Sequence, residues 1–110
     1  MIRNRHELAE ERSLALHAEV AHRLLEDPRA IEEARARVER WLRDGSVHPE
    51  YARDWQEILS RPLTEIVAFL AERSEQARAL RQVTPFAGLV PSATRWRIWR
   101  EVEERLSGSP

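Results

Sequence analysis

The chain reads as all-α, a small bundle of five or six helices joined by short turns. Three observations carry that reading. Apolar residues recur at three- and four-residue intervals along most of the chain, and no stretch alternates apolar with polar as a half-buried strand would. Glu, Arg, Ala and Leu dominate, with only three glycines, a composition that favours helix. Prolines at 28, 49, 62, 85 and 91 divide the periodic stretches, and proline suits a first helical turn but not a helix interior.

At 110 residues and 42% hydrophobic content, the chain is expected to form a single domain over 1–110 with one modest core. The first helix is expected to open at Asn4, with Glu7 completing a capping arrangement, and to run to about Glu26. Leu14, Ala18, Ala21 and Leu25 give its apolar stripe, widened by Leu8, Leu16, Val20 and Leu24. Asp27-Pro28 marks a boundary, because the residue before proline leaves the α region. A second helix follows over about Pro28–Arg43, with Ile31, Ala34, Val38, Trp41 and Leu42 inside and Glu32–Arg35, Glu33–Arg37 and Glu39–Arg43 paired outside. Asp44-Gly45 closes it with a left-handed cap.

Pro49 starts a third helix to about Leu59, with Tyr51, Trp55, Ile58 and Leu59 facing inward. Ser60-Arg61-Pro62 gives a second cap-then-proline signal and opens a fourth, with Leu63, Ile66, Val67 and Leu70 as its apolar face. Ser74-Glu75 either caps a further short helix to about Val83 or continues the fourth with a kink. Thr84–Pro91 is broken by Pro85, Gly88 and Pro91. Ser92 is the expected cap of a last helix, about Ala93–Leu106, with Trp96, Trp99, Val102 and Leu106 along one side. Residues 107–110 are expected to be a flexible tail.

Charge is unevenly placed. The net charge is −1, yet Gln76–Arg100 holds five arginines and no Asp or Glu, whereas the first 75 residues hold 12 Arg against 16 acids. All 18 basic residues are arginine, whose guanidinium pairs bidentately with carboxylates and stacks on aromatic rings. The same stretch carries Phe86, Trp96 and Trp99. Basic, aromatic and non-helical features together mark 76–106 as a partner-binding segment, with Arg78, Arg81, Phe86, Arg95, Trp96, Arg97, Trp99 and Arg100 as its candidate residues. Trp41 and Trp55 read as core. For Trp96 and Trp99 two arrangements stay open, docked onto the bundle with the arginines outside or exposed as a landing site.

Catalytic and cofactor chemistry find no support in the pattern. Cysteine is absent, and His6, His17, His22 and His48 show no ligand spacing, His17 and His22 lying on different helix faces. The histidines read as surface or half-buried structural residues. The carboxylates sit beside arginines rather than as an isolated pair in an apolar setting. The serines lack a nucleophile elbow, and no glycine-rich phosphate loop occurs. The expectation is a protein that is not an enzyme and uses neither metal nor cofactor. The polar first twelve residues and the lack of a long apolar run point to a cytoplasmic protein with no membrane partner.

The segments ERSLALHAEVAHRL (11–24), ARARVERWL (34–42), DWQEILSRPL (54–63), ALRQVTPFAGLVP (79–91) and RWRIWREV (95–102) together resemble a family of short bacterial proteins associated, as the antitoxin partner, with two-gene toxin–antitoxin modules. The resemblance runs from about Arg5 to Arg105, and ALRQVTPFAGL followed by RWRIWR is its most specific part. It implies a non-catalytic antitoxin that binds a co-encoded toxin and masks its active site, the toxin being of nuclease or nucleotidyltransferase type. Many antitoxins also bind their own operator, but no DNA-binding domain is apparent in this sequence. The alternative is a nucleic-acid-binding transcriptional regulator, for which five arginines supply an electrostatic footprint and the aromatics supply stacking surfaces. The net negative charge and the lack of a recognition-helix pattern weigh against it. A homodimer formed through apolar residues of the fourth or last helix is a further open expectation.

Overall fold

The computed structural model of the protein describes residues 5–108. Six α-helices follow one another: α1 (Arg5–Glu26), α2 (Ile31–Asp44), α3 (Pro49–Ile58), α4 (Leu63–Leu70), α5 (Glu75–Gln82) and α6 (Ser92–Leu106), with 3₁₀ turns at Pro28–Ala30 and Ala87–Leu89. The chain is thus an all-helical bundle, with no strand among the described residues. The expected Asn4 cap lies outside the described residues, as do the last two residues of the expected tail.

The boundaries follow from local chemistry. Asp27 Oδ1 accepts from the Arg29 amide at 3.3 Å, and Pro28 sits in the first turn of the 3₁₀ segment that leads into α2. Gly45, at φ 69°, donates its N–H to the Trp41 carbonyl and ends α2 as the left-handed cap. The α3 cap is His48, whose Nδ1 accepts from the Glu50 amide at 3.1 Å, a role not anticipated for a histidine. Ser74 Oγ accepts from the Ala77 amide and starts α5 as a separate helix, so α4 does not continue through a kink.

Two expected caps differ. Ser60 donates its hydroxyl to the Glu57 carbonyl and finishes α3, so α4 begins after Pro62 without a side-chain cap. Likewise the residue before α6 is Pro91, and Ser92 is already helical. In both places a proline with ψ near 150° redirects the chain without needing a serine.

α1 is the element the others gather on. It packs against α4, α5 and α6, while α2 packs on α3. Its buried stripe is Leu16, His17, Val20 and Leu24. The stripe centred on Ala18 and Leu25 is therefore rotated from the true one, and Leu25 stands 57% exposed. The centre of the core is Trp55. It meets Phe69 and Phe86 edge-on, each at 5.9 Å between ring centroids, and its indole N–H donates to the Leu80 carbonyl at 3.1 Å. Burying a ring of this size is favourable when its one polar atom is satisfied. Tyr51, expected inside, is on the surface of α3. Trp41 and Val67 are half-buried rather than central.

Of the three expected ion pairs on α2, Glu32–Arg35 forms. Arg35 also donates from Nε and Nη2 to the Leu59 carbonyl, at 2.9 and 2.8 Å, and so closes the C-terminal end of α3 from a neighbouring helix. Arg37 turns instead to the loop after α5, where its Nη1 lies 3.4 Å from the Pro85 carbonyl.

Candidate functional site

The acid-free stretch divides in space at Pro91. Its first part, α5 and the loop to Val90, enters the core. Phe86 is buried against Trp55, and Pro85, Val90 and Leu80 are buried with it. Arg81 has a fully enclosed side chain. Its Nη2 pairs with Glu10 at 2.7 Å, and its Nη1 donates to the Glu72 carbonyl at 2.6 Å and, more distantly, to the Leu70 carbonyl at 3.4 Å. A buried guanidinium needs this set of partners, because desolvation of the charge costs several kcal/mol. Arg81 and Phe86 are therefore structural, and the expectation that they form part of a binding surface does not hold. A count of charge along contiguous sequence cannot see that Glu10 neutralises Arg81 from α1.

Arg78, on the outer side of α5, is half-exposed and 3.6 Å from the same Glu10. It lies with Glu7, Glu10, Glu11 and Arg73 around one polar hollow. Arg95 reaches back from α6 to the Ala87 carbonyl at 2.7 Å and braces the loop. Neither acts as a free cation.

His17 locks the same loop from α1. Its Nδ1 lies 2.8 Å from the Ser13 carbonyl, an acceptor only, so Nδ1 carries the proton and donates. Its Nε2 then accepts from the Thr84 hydroxyl at 2.9 Å, while the Thr84 oxygen accepts from the Phe86 amide at 3.1 Å. Burial holds the imidazole pKa down to about 4. The hydrogen bond to Ser13 opposes that shift, and the nearby Arg81 charge adds to it. Sequence reasoning placed His17 at the surface or half-buried. The signal that could have placed it fully inside is its seven-residue spacing from both Glu10 and Leu24, which puts all three on one side of α1.

α6 presents the second part of the stretch. Ile98 and Val102 are its buried residues, flanked by half-buried Trp99 and Leu106. The guanidinium of Arg12 lies 5.9 Å above the Trp99 ring and 3.5 Å from Glu103, so Trp99 is held between α1 and α6. Trp96, on the neighbouring face of the preceding turn, is turned to solvent and is 66% exposed. One helical turn on, Arg100 is exposed and makes no ion pair among the described residues. Arg97 lies between them and pairs with Glu101 at 3.3 Å. The open alternative for the two tryptophans thus resolves differently for each, with Trp99 docked and Trp96 presented to solvent.

Of the eight candidate residues, the fold brings Trp96, Arg97 and Arg100 together on one outward face. It places Trp99 beneath them and Arg78 on another helix. A groove of about 590 Å³ runs beside this face between α1 and α6, floored by Ala15, Ala18, Ile98 and Val102. The surface offers an indole and two guanidinium groups on a rigid helix, chemistry suited to an apolar pocket edged by carboxylates or phosphates. No group of three or more His, Asp or Glu among the described residues is placed to hold a metal ion. No helix among them is long and apolar enough to cross a membrane. Comparison with protein-family models, with curated proteins and with solved structures finds no match for this chain.

Proposed function

We propose that the protein is the non-catalytic antitoxin of a bacterial two-gene module, acting in the cytoplasm, and that it masks the active site of its co-encoded toxin with the outer face of α6. One observation carries this reading. Trp96 stands out from a helix whose opposite side is firmly packed, with Arg97 and Arg100 beside it. An exposed indole gains little for the isolated chain, and Trp and Arg are among the residues enriched where a protein interface concentrates its binding energy. Inserted into a nuclease or nucleotide-transfer cleft, Trp96 would fill an apolar subsite. Arg100 would pair with the carboxylates that otherwise hold a cation.

Nucleic-acid binding draws less support from the arrangement. Glu101, Glu103 and Glu104 follow the arginines on α6, and Glu10 sits among Arg78 and Arg81, so the positive charge is interrupted rather than continuous. Co-expression with the product of the adjacent gene tests the proposal. Trp96→Ala/Arg100→Ala is expected to lose rescue of growth while accumulating as folded protein. Full rescue by this variant would contradict the proposal, and a salt-sensitive gel shift on the promoter with undiminished rescue would favour the regulator.

A further inference from the structure

The outer face of α6 has a charge order that its own helix does not favour. On its solvent side Arg97 and Arg100 come before Glu101 and Glu104, with no acid in the first turn, while Arg105 follows in the last turn, Arg95 is held by the Ala87 carbonyl and Glu103 by Arg12. A helix dipole favours the reverse, acids at the N-terminal end and bases at the C-terminal end. The Arg97–Glu101 pair also runs in the weaker of the two orientations for residues four apart. Arg105 meets the dipole's preference, but the order of Arg97, Arg100, Glu101 and Glu104 is not explained by stabilisation of α6. It does make the face complementary to itself. When two such helices lie antiparallel, Arg100 of each can meet Glu104 of the other, twice about a two-fold axis.

We infer that α6 pairs antiparallel with α6 of a second copy of this chain, Arg100 of each facing Glu104 of the other and Trp96 covered at each end of the contact. The residues involved are free to do this. Trp96, Arg100 and Glu104 are exposed, and neither Arg100 nor Glu104 makes an ion pair among the described residues. Arg97 is 58% exposed at its side chain beside Glu101. The Ala15 and Ala18 floor of the adjoining groove adds small residues over which a second helix can approach closely. The pairing is independent of the antitoxin reading, since it is a property of the chain alone. Because it uses Trp96 and Arg100, a foreign partner on this face and a second copy would exclude one another.

Sedimentation equilibrium of the full chain, with charge-swapped variants, decides this. The wild type is expected to shift with concentration from its 12.9 kDa monomer to twice that mass, more weakly at high salt. Arg100→Glu is expected to sediment as monomer because it sets acid against acid across the contact. Glu104→Arg is expected to do the same because it sets base against base. An equimolar mixture of the two variants is expected to recover the doubled mass, since position 100 of each chain then faces the opposite charge at position 104 of the other. Helicity by circular dichroism is expected to match wild type in both, so loss of the dimer cannot be assigned to unfolding. A wild type that stays monomeric at millimolar concentration would overturn the inference and leave the face to a foreign protein. A dimer that both charge reversals leave intact would overturn it too, placing self-association elsewhere on the surface.

Discussion

Arg81 is wholly enclosed and divides its N–H groups between Glu10, Glu72 and Leu70, whereas Arg100, in the same acid-free stretch, stands in solvent without an ion pair among the described residues. Phe86 and Trp96 repeat the contrast, one sealed against Trp55 and the other two-thirds exposed. Pro91 separates the two regimes. Before it, Arg81 and Phe86 stabilise the fold; after it, Trp96, Arg97 and Arg100 are presented outward by a helix that Ile98 and Val102 hold in place. Residue type alone therefore does not separate a core from a recognition face. The partner supplied from elsewhere in the chain does.

The contrast is open to direct perturbation. The largest effect is expected at Arg81. Arg81→Ala should cost about 3–5 kcal/mol in urea unfolding, because Glu10 loses its buried counter-charge and two carbonyls lose their donor. Replacing both partners, as Glu10→Gln/Arg81→Met, should recover part of that loss, since no uncompensated charge remains. Phe86→Ala should cost a similar amount, about 3–4 kcal/mol, by opening a cavity beside Trp55.

Next in size is a pH effect. The His17 imidazole is held down to about 4 in the folded chain against an ordinary 6.5, so between those values the unfolded chain binds more protons. Stability should be full above about pH 6.5, fall as the pH drops toward 4, and level off below, a total on the order of 3 kcal/mol. Chemical denaturation across that range, compared with His17→Asn, would isolate the contribution as the part that the variant lacks. The Asp44 carboxyl, held below its usual range by hydrogen bonds from Ser46, also loses stability in acid but at lower pH, so the two windows are distinct. Smaller again is Gly45→Ala. A Cβ there meets nothing within 4 Å, so the cost of about 1 kcal/mol comes from the left-handed backbone alone and should show as a thermal midpoint lower by several degrees.

Helix existence and order could be read from the sequence because each signal is local, save for α5, which stayed open between a separate helix and a kinked continuation of α4. Proline positions, the Asp44-Gly45 cap and the Ser74 cap act within a turn of the residues they control. What could not be read depends on residues far apart. Glu10 and Arg81 are separated by 71 positions and His17 and Thr84 by 67, and nothing near Arg81 announces its acid. Orientation within a broad apolar stripe was also beyond local pattern. Leu16 and Leu25 both fit the periodicity of α1, and only the packing of α4, α5 and α6 decides that Leu16 is inside. For the same reason Phe69, absent from the expected face of α4, proves to be one of the two rings against Trp55. Of the candidate residues, Trp96, Arg97 and Arg100, crowded on one turn, prove to be exposed together, while Arg81 and Phe86 were drawn in by proximity in sequence and are buried.

The most direct test of this division is the urea unfolding free energy of Trp96→Ala/Arg97→Ala/Arg100→Ala. If the outer face of α6 is kept for recognition, the triple variant should stay within about 1 kcal/mol of wild type, as exposed substitutions do. A loss approaching that of Arg81→Ala would mean that the face holds the fold together, and would contradict the account.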